Sequence, residues 1–464
     1  MQNLRDMWRA QYQIVPQQLA KVADVGNVTT AFNTNIDAVI KLSGAKISGL
    51  ADALEVTYES ALGPQTQLLT PQDVVRGIVK CFVQGIAEEW LTEDKAVYEW
   101  MRQNLGYDRL QMGGQAGIVA NAAAVAGVQK VVVHTASHPA AQASCFLDLP
   151  NLLAIDGAGK LQKAAEVVRA DDEPLVHWII EFDKDDEITL GGKVCRCPKA
   201  NRFIATYDAA NLNLQINPHF VAAVERDGYD YLVLSGYHNL TAAHGGLARI
   251  ADNVSLLQSW KERFPKGIVH LELASTQDKV IRAAIIEQIA PLADSLGLNE
   301  REALDALEVI DAELFAQYQK QKLHADTLFD ILQILKQKMR TPRVQLHMFG
   351  LYITLQNKGY VITPAQNKNG MMVAATAAAS KAATGAIDSR ENLLWAHGQN
   401  VGAQSVEELH RLALHIDSGT LETTGMASVG AYDLIAVPTI IVEKPKTLVG
   451  MGDTISSLSL VAAR

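Results

Sequence analysis

Cysteine is scarce in this chain: Cys81, Cys145, Cys195 and Cys197 are the only four in 464 residues. So few thiols suit a reducing compartment and exclude a disulfide framework. Cys195-Arg196-Cys197 is the one close pair, and no second pair or histidine doublet completes a zinc set. Lysine-rich runs are absent and the formal charge is −10. Nucleic acid is therefore not expected as a partner, because phosphate backbones need clustered Lys and Arg. A phosphorylated small molecule needs only a local basic pocket. Long apolar runs are missing too. The Ala-rich stretches near 116–126 and 374–386 are too short, or too interrupted by Lys381, to span a bilayer. Residues 1–10 carry no apolar signal core, so a soluble, cytoplasmic protein without a membrane partner is expected. No internal repeat or low-complexity segment is evident.

What is present is ordinary globular material, 48% hydrophobic and 20% charged, in a chain long enough for one large and one smaller domain. Short β-rich runs alternate with longer helical stretches, the pattern of a mainly parallel sheet with helices on both faces. The predicted strands are Asn27–Phe32, Lys130–His134, Tyr229–Ser235, Gly267–Ala274, Arg343–Met348 and Tyr432–Val442. Helices are predicted over Gly114–Ala126, Leu247–Arg263, Lys279–Ser295 and Asp311–Lys338. Two stretches break the rhythm. Residues 41–109 are rich in acidic helix formers without a strong strand. Residues 172–207 hold two strand-like runs, Leu175–Phe182 and Arg202–Tyr207, joined by a loop with Gly191-Gly192. Insertions at strand ends of an α/β sheet sit where ligands bind. Residues 41–109 and 172–207 are therefore read as a small lid, and 1–40, 110–171 and 208–464 as the large domain.

The most informative segment is Val449-Gly450-Met451-Gly452-Asp453-Thr454-Ile455-Ser456-Ser457, which follows the apolar run from Tyr432. Gly450 and Gly452 keep side chains out of the way of an anion. Residues from Asp453 onward read as the first turn of a helix, whose free amides can hold a phosphate. One acid beside them can activate a hydroxyl. These are the working parts of a small-molecule kinase, although a tight turn with Asp453 as N-cap would also look like this.

Four other clusters bear on the choice. Asn33-Thr34-Asn35-Ile36-Asp37 leaves the first strand with side chains suited to gripping hydroxyls, or forms an Asx-rich turn. Gly113-Gly114-Gln115-Ala116-Gly117 opens a helix and lets a ligand touch backbone, or serves close helix–sheet packing. Glu272 ends a buried strand in His270-Leu271-Glu272, and Asn299-Glu300-Arg301-Glu302 follows. A magnesium ion carrying phosphates is a natural partner for such carboxylates; a buried salt bridge for Glu272 and a solvated helix face for Glu302 are the alternatives. Arg202, in Ala200-Asn201-Arg202-Phe203-Ile204, can clamp a phosphate when the lid closes, or be an ordinary surface arginine.

Taken together and in this order, Phe32–Ala38, Met112–Ile118, Ala200–Ile204, His270–Glu272, Asn299-x-x-Glu302 and Gly450–Ser456 make the chain resemble the ADP-dependent sugar kinases, the glucokinases and phosphofructokinases of the ribokinase-like superfamily. The resemblance spreads over nearly the whole chain. It implies a ribokinase-like three-layer sandwich with a smaller α/β lid, and Mg²⁺-dependent transfer of the β-phosphoryl group of ADP to a sugar hydroxyl. By the same resemblance Asp453 is the general base and the amides of Gly450, Gly452 and Asp453 form an anion hole. Glu272 and Glu302 organise magnesium. Asn35, Asp37, Gly114 and Gln115 contact the sugar and Arg202 a phosphate. His347, Tyr352 and Val442 line the adenine slot. Glu88 or Glu89 matches an acidic lid position that goes with glucose, with Glu89 placed among the substrate-binding candidates. Where the phosphofructokinase branch carries a lysine after Trp178–Phe182, this chain has Asp183, leaving Lys184, Lys199 or Arg196 to supply charge. Ser457-Leu458-Ser459 also stands where small residues are usual. Fructose 6-phosphate is the leading acceptor. Glucose, another acceptor, ATP as donor, and a non-catalytic sensor are the alternatives.

Overall fold

The structure, a computed structural model, describes residues 2–447 and 449–464. Met1, which opens the N-terminal stretch considered above, and Leu448 lie outside the described residues. Runs rich in Val, Ile and Leu form central strands because β-branched side chains fit a pleated surface buried on both faces. Seven strands are parallel, in the spatial order Arg343–Met348, Ser295–Leu298, Ile268–Glu272, Tyr231–Leu234, Asn27–Ala31, Lys130–Val133 and Leu152–Ile155. Antiparallel strands Leu351–Asn357, Tyr432–Pro438 and Met426–Val429 extend one edge and Leu161–Lys163 the other, giving 11 strands. Helices pack around this sheet in two groups. Gln115–Ala126, Pro364–Thr384 and Met451–Val461 touch one another, as do Gly246–Arg263, Lys279–Ala284, Glu300–Ile310 and Ala325–Met339.

The strand order reverses between Asn27–Ala31 and Tyr231–Leu234, and the crevice outside their carboxyl ends is where such sheets take ligands. Phe32–Thr34 leave one strand there and Ser235–His238 the other. Ser235 Oγ donates to Asn33 Oδ1 at 2.9 Å, tying the two exits together.

A second sheet stands over this crevice, in the order Glu88–Thr92, Asn201–Tyr207, Val176–Phe182, Asn35–Ile40 and Arg109–Gly113. It has its own core, in which Trp90, Trp178, Phe203 and Phe82 pack with the Gly44–Ala53 and Pro71–Gln84 helices. Strands have period two, so this core takes alternate residues and leaves the others on the opposite face. The pairing register puts Asn35 and Asp37, Gln111 and Gly113, His177, Thr206 and Arg202, and Glu89 on that second face.

Several expectations from sequence are corrected here. Asn35–Ile40, read as part of the large domain, pairs in the small sheet, as does the whole of Arg109–Gly113. Residues 41–109 do contain a strand, Glu88–Thr92, hidden because its two glutamates break the apolar pattern. The helix read over Lys279–Ser295 is α only to Ala284, then π and 3₁₀, and Ser295 begins a strand. The helix read over Asp311–Lys338 is two, Ala312–Tyr318 and Ala325–Met339. Tyr432–Val442 is a strand only as far as Pro438. Among the described residues, no helix is long and apolar enough to cross a membrane.

Candidate active site

Gly450 adopts φ +62°, a left-handed conformation that glycine takes without steric cost, and caps the Met451–Val461 helix. The amides of Met451, Gly452 and Asp453 have no acceptor within the helix and face its N-terminal end, a ready anion cradle. Asp453 does not cap the helix: no side-chain cap bond forms at its N-terminus. Burial raises the pKa of its carboxyl, partly offset by a hydrogen bond from Gln115 and the charge of Lys381. Gln115 Oε1 is buried and unpartnered among the described residues, so an acceptor stands free beside the base.

Behind the glycine loop lie the other acids. A Cβ added to Gly452 would sit 2.8 Å from His347 Nε2 and 3.5 Å from Glu272 Oε1. Glu272 is buried, and burial with the charges of Asp453 and Glu302 holds its carboxyl well above the usual range. Its nearest ring nitrogens are His270 Nε2 at 3.3 Å and His347 Nε2 at 3.5 Å. Burial lowers those imidazoles to about 3 and about 4, so neither brings a positive charge at neutral pH. Glu302 is neither a solvated face nor free: it closes a capping box with Asn299, whose amide reaches Oε2 at 2.8 Å and whose Nδ2 reaches Oε1 at 2.9 Å. Burial, with the nearby charges of Asp453 and Asp305, lifts Glu302 to about 8 against those bonds.

Among the described residues no Lys or Arg forms an ion pair with Glu272 or Glu302, and hard carboxylate oxygens that repel one another fit a magnesium ion. No three His, Cys, Asp or Glu side chains among the described residues converge at direct-ligand spacing. A magnesium ion here would retain waters, as it commonly does.

The second sheet brings the polar face over this floor. Asn35 Nδ2 donates to Asp37 Oδ1 at 2.8 Å, and both are buried. Burial raises Asp37 against the charge of His177 and bonds from Asn35 and Gln111. Gly114, at φ +72°, passes so close to Asn33 that an added Cβ would meet its carbonyl oxygen at 2.6 Å. Glu89 accepts from Thr206 Oγ1 at 2.6 Å, whereas Glu88 bonds Trp90 Nε1 at 2.8 Å on the core side. Of the two acids, Glu89 is the one on the polar face.

Arg202 lies exposed on the polar face, across from Glu181. Asp183 is ion-paired with Lys41, whose ammonium is also 3.9 Å from Asp186, and Arg196 pairs with Glu187 at 2.6 Å. Lys184 and Lys199 are exposed. His347 turns to Glu272 and Ser456 (3.3 Å) and Tyr352 is buried beside it, while Val442 is half-buried past the strand end. The serines of 457–459 bond inward: Ser457 Oγ to the Asp453 carbonyl at 2.6 Å and Ser459 Oγ to Gln345 Oε1 at 2.6 Å.

Two groups escaped the sequence reading. His177 donates to Asp208 Oδ2 at 3.0 Å and stands 3.8 Å from Glu89. Burial alone would lower it, but the bond and charge of Asp208, with Glu89 and Asp37, raise it to about 9, so it is cationic at neutral pH. Its signal was a titratable residue alternating with Val176, Trp178 and Ile180. The other is Lys381, whose Nζ lies 3.1 Å from the Gly450 carbonyl. Its signal was a charge inside an alanine-rich helix.

A sheet of this topology with a polar lid, a glycine-gated helix N-terminus and a buried acid is a small-molecule kinase architecture. A family model described as the ADP-specific Phosphofructokinase/Glucokinase conserved region matches residues 26–462, and the chain belongs to that family. ADP-specific phosphofructokinase of Methanosarcina acetivorans is 29% identical, over 93% of this chain and 92% of its own. ADP-dependent glucose/glucosamine kinase of Pyrococcus abyssi is 30% identical over 98% of both chains. Among solved structures, the last common ancestor of ADP-dependent phosphofructokinases from Methanosarcinales aligns with a TM-score of 0.86 at 28% identity, covering 98% of each chain. An ADP-dependent kinase in complex with fructose-6-phosphate and ADPbetaS aligns with a TM-score of 0.80 at 27% identity, covering 98% of this chain and 97% of its own.

Proposed function

We propose that the chain is an ADP-dependent sugar kinase acting first on fructose 6-phosphate. The observation that carries this is the buried Asp453 carboxylate at an open helix N-terminus, beside the unpartnered Gln115 acceptor and under a face of hydroxyl-gripping groups. A sugar hydroxyl held by Asn35, Asp37 and Gln115 gives its proton to Asp453. Its oxygen bonds to the β-phosphorus of ADP as the bridging P–O bond breaks, and AMP leaves with that electron pair. The amides of the 450–453 turn hold the charge that develops on the transferred group. Glu272 and Glu302 would hold magnesium through water, and the ion would neutralise the donor's phosphoryl oxygens. Tyr352 and Val442 would back the adenine, with His347 at the phosphate side. Closure of the small sheet over the bound sugar would keep water from the phosphoryl group.

Arg202 on the polar face supports a phosphorylated acceptor, and Lys41 offers a basic group beside Asp183 in place of the missing lysine. Glucose is the second reading, favoured by Glu89 standing on the same face with Thr206 and His177. AMP release with Mg²⁺ and ADP, compared between fructose 6-phosphate and glucose and with ATP as parallel donor, tests both. Turnover with fructose 6-phosphate is expected. Turnover with glucose alone would move the acceptor, and none with either sugar and either donor would overturn the kinase reading.

Gly113→Ala gives a sharper check on the sugar side. An added Cβ would fall on Asp37 Oδ1 and Asn35 Nδ2, well inside van der Waals contact. The sugar KM is expected to rise by about tenfold or more, with ADP binding in the absence of sugar unchanged. An unchanged KM would remove Asn35 and Asp37 from the sugar site.

A further inference from the structure

Lys381 sits on the Pro364–Thr384 helix among Ala377, Ala378, Ala379 and Ala382, all buried. Its Nζ donates to the Gly450 carbonyl at 3.1 Å and lies 3.3 Å from Thr454 Oγ1. The Thr454 hydroxyl donates to the same carbonyl at 2.8 Å and the Thr454 amide at 3.2 Å, so Lys381 is one of three donors on it and the one that brings charge. A Cβ on Gly450 would lie 3.0 Å from that ammonium and 2.6 Å from Ile118 Cδ1, so only glycine lets the lysine come this near.

The arrangement is electrostatically costly without a ligand. Lysine is favourable at a helix C-terminus, yet here its charge is held at an N-terminus, where the macrodipole is already positive. Burial lowers its pKa to about 8, with Asp453 and Asp37 opposing that shift, so it remains mostly protonated at neutral pH. Asp453 and Asp37 offset part of that cost, and negative charge arriving at the helix N-terminus would offset more. The peptide geometry says where. In a trans peptide the C=O and the following N–H point in opposite directions. Holding the Gly450 carbonyl toward Lys381 therefore aims the Met451 amide the other way, out of the helix N-terminus.

We propose that Lys381 is a positioning residue for phosphoryl transfer: it fixes the Gly450–Met451 peptide so that its amide faces the transferred phosphoryl group, and adds positive field behind it. This role rests on the phosphoryl-transfer reading of the Asp453 loop. Lys381 also lines an open cleft of about 240 Å³ bounded by Gln111, Met112, Ile118, Cys145 and Thr454, so small solutes can reach its place.

Calorimetric binding of ADP and of AMP, each with Mg²⁺, to the wild type and K381M decides the point. Methionine keeps most of the alkyl stem and loses the donor and the charge. ADP affinity is expected to fall about tenfold to a hundredfold while AMP, which lacks the β-phosphoryl group, changes by less than about twofold. Equal losses for both nucleotides, or no loss, would overturn the role. A wild type with no preference for ADP over AMP would instead overturn the reading of the loop on which the role rests. In K381A, ethylammonium is expected to restore sugar-dependent AMP release, and tetramethylammonium at equal ionic strength to fail because it has no N–H to donate. Rescue by neither, or equally by both, counts against the carbonyl bond, and K381R is expected to retain more turnover than K381M. If K381A does not fold, the K381M comparison still decides.

Discussion

Asp453→Asn is expected to lower turnover by about 10²- to 10⁴-fold, the range that a positioned general base contributes. Sugar KM and ADP affinity should stay within about threefold, since asparagine keeps the size and the hydrogen bond with Gln115. The melting temperature should hold or rise. Burial raises the Asp453 pKa, so its ionised form is a burden on the folded state that the neutral amide removes. Steady-state kinetics beside thermal unfolding separate the outcomes. Lost turnover with a lower melting temperature would assign Asp453 a structural duty, and near-native turnover would end its assignment as the base.

Glu272→Gln should change how the protein responds to metal and pH. Glu272 and Glu302 are both shifted upward in the folded state, Glu302 to about 8. Between their unfolded pKa, near 4.5, and that value the native state holds more protons than the unfolded one. Without divalent ions, stability therefore falls as pH rises through this window. Below about pH 6.5 the buried His270 and His347 oppose the trend, because the unfolded state protonates them first. The comparison belongs between pH 7 and 8. His177, raised to about 9, slopes the same way there, so the difference between wild type and variant isolates the carboxylate. The expected result is a flatter pH dependence and a higher metal-free melting temperature for Glu272→Gln, by on the order of 1–3 kcal/mol of stability. The magnesium concentration for half-maximal activity should rise about tenfold or more, as loss of a group that organises a metal site commonly does. An unchanged magnesium titration would remove Glu272 from the metal site, and an unchanged pH slope would show that its burial is already compensated.

The legible parts of the molecule were those set by local chemistry. Arg343–Met348 was readable to the residue because Val344, Leu346 and Met348 alternate with polar residues at strand spacing, and the helix after Gly450 because two glycines and an acid mark its start. Errors fell where a local pattern meets a distant requirement. Glu88–Thr92 was missed because Glu88 spends its charge on Lys80 at 3.0 Å and on Trp90, which no window of sequence shows. Asn35–Ile40 was assigned to the wrong sheet because a strand's composition does not name its neighbours. That the His347 ring rests against Glu272, 75 positions earlier in the chain, was likewise out of reach of any sequence window.

By itself the sequence determined the α/β class, the glycine-gated helix and the candidate acids, because glycine conformations, helix starts and buried runs are properties of neighbouring residues. Only the tertiary structure put Glu89 rather than Glu88 on the polar face, paired His177 with Asp208, and set Lys381 on the Gly450 carbonyl, 69 residues away along the chain. Those choices depend on strand register and helix packing. The charges involved change their protonation and their partners only after burial has stripped away water, so their roles do not exist until the chain has folded.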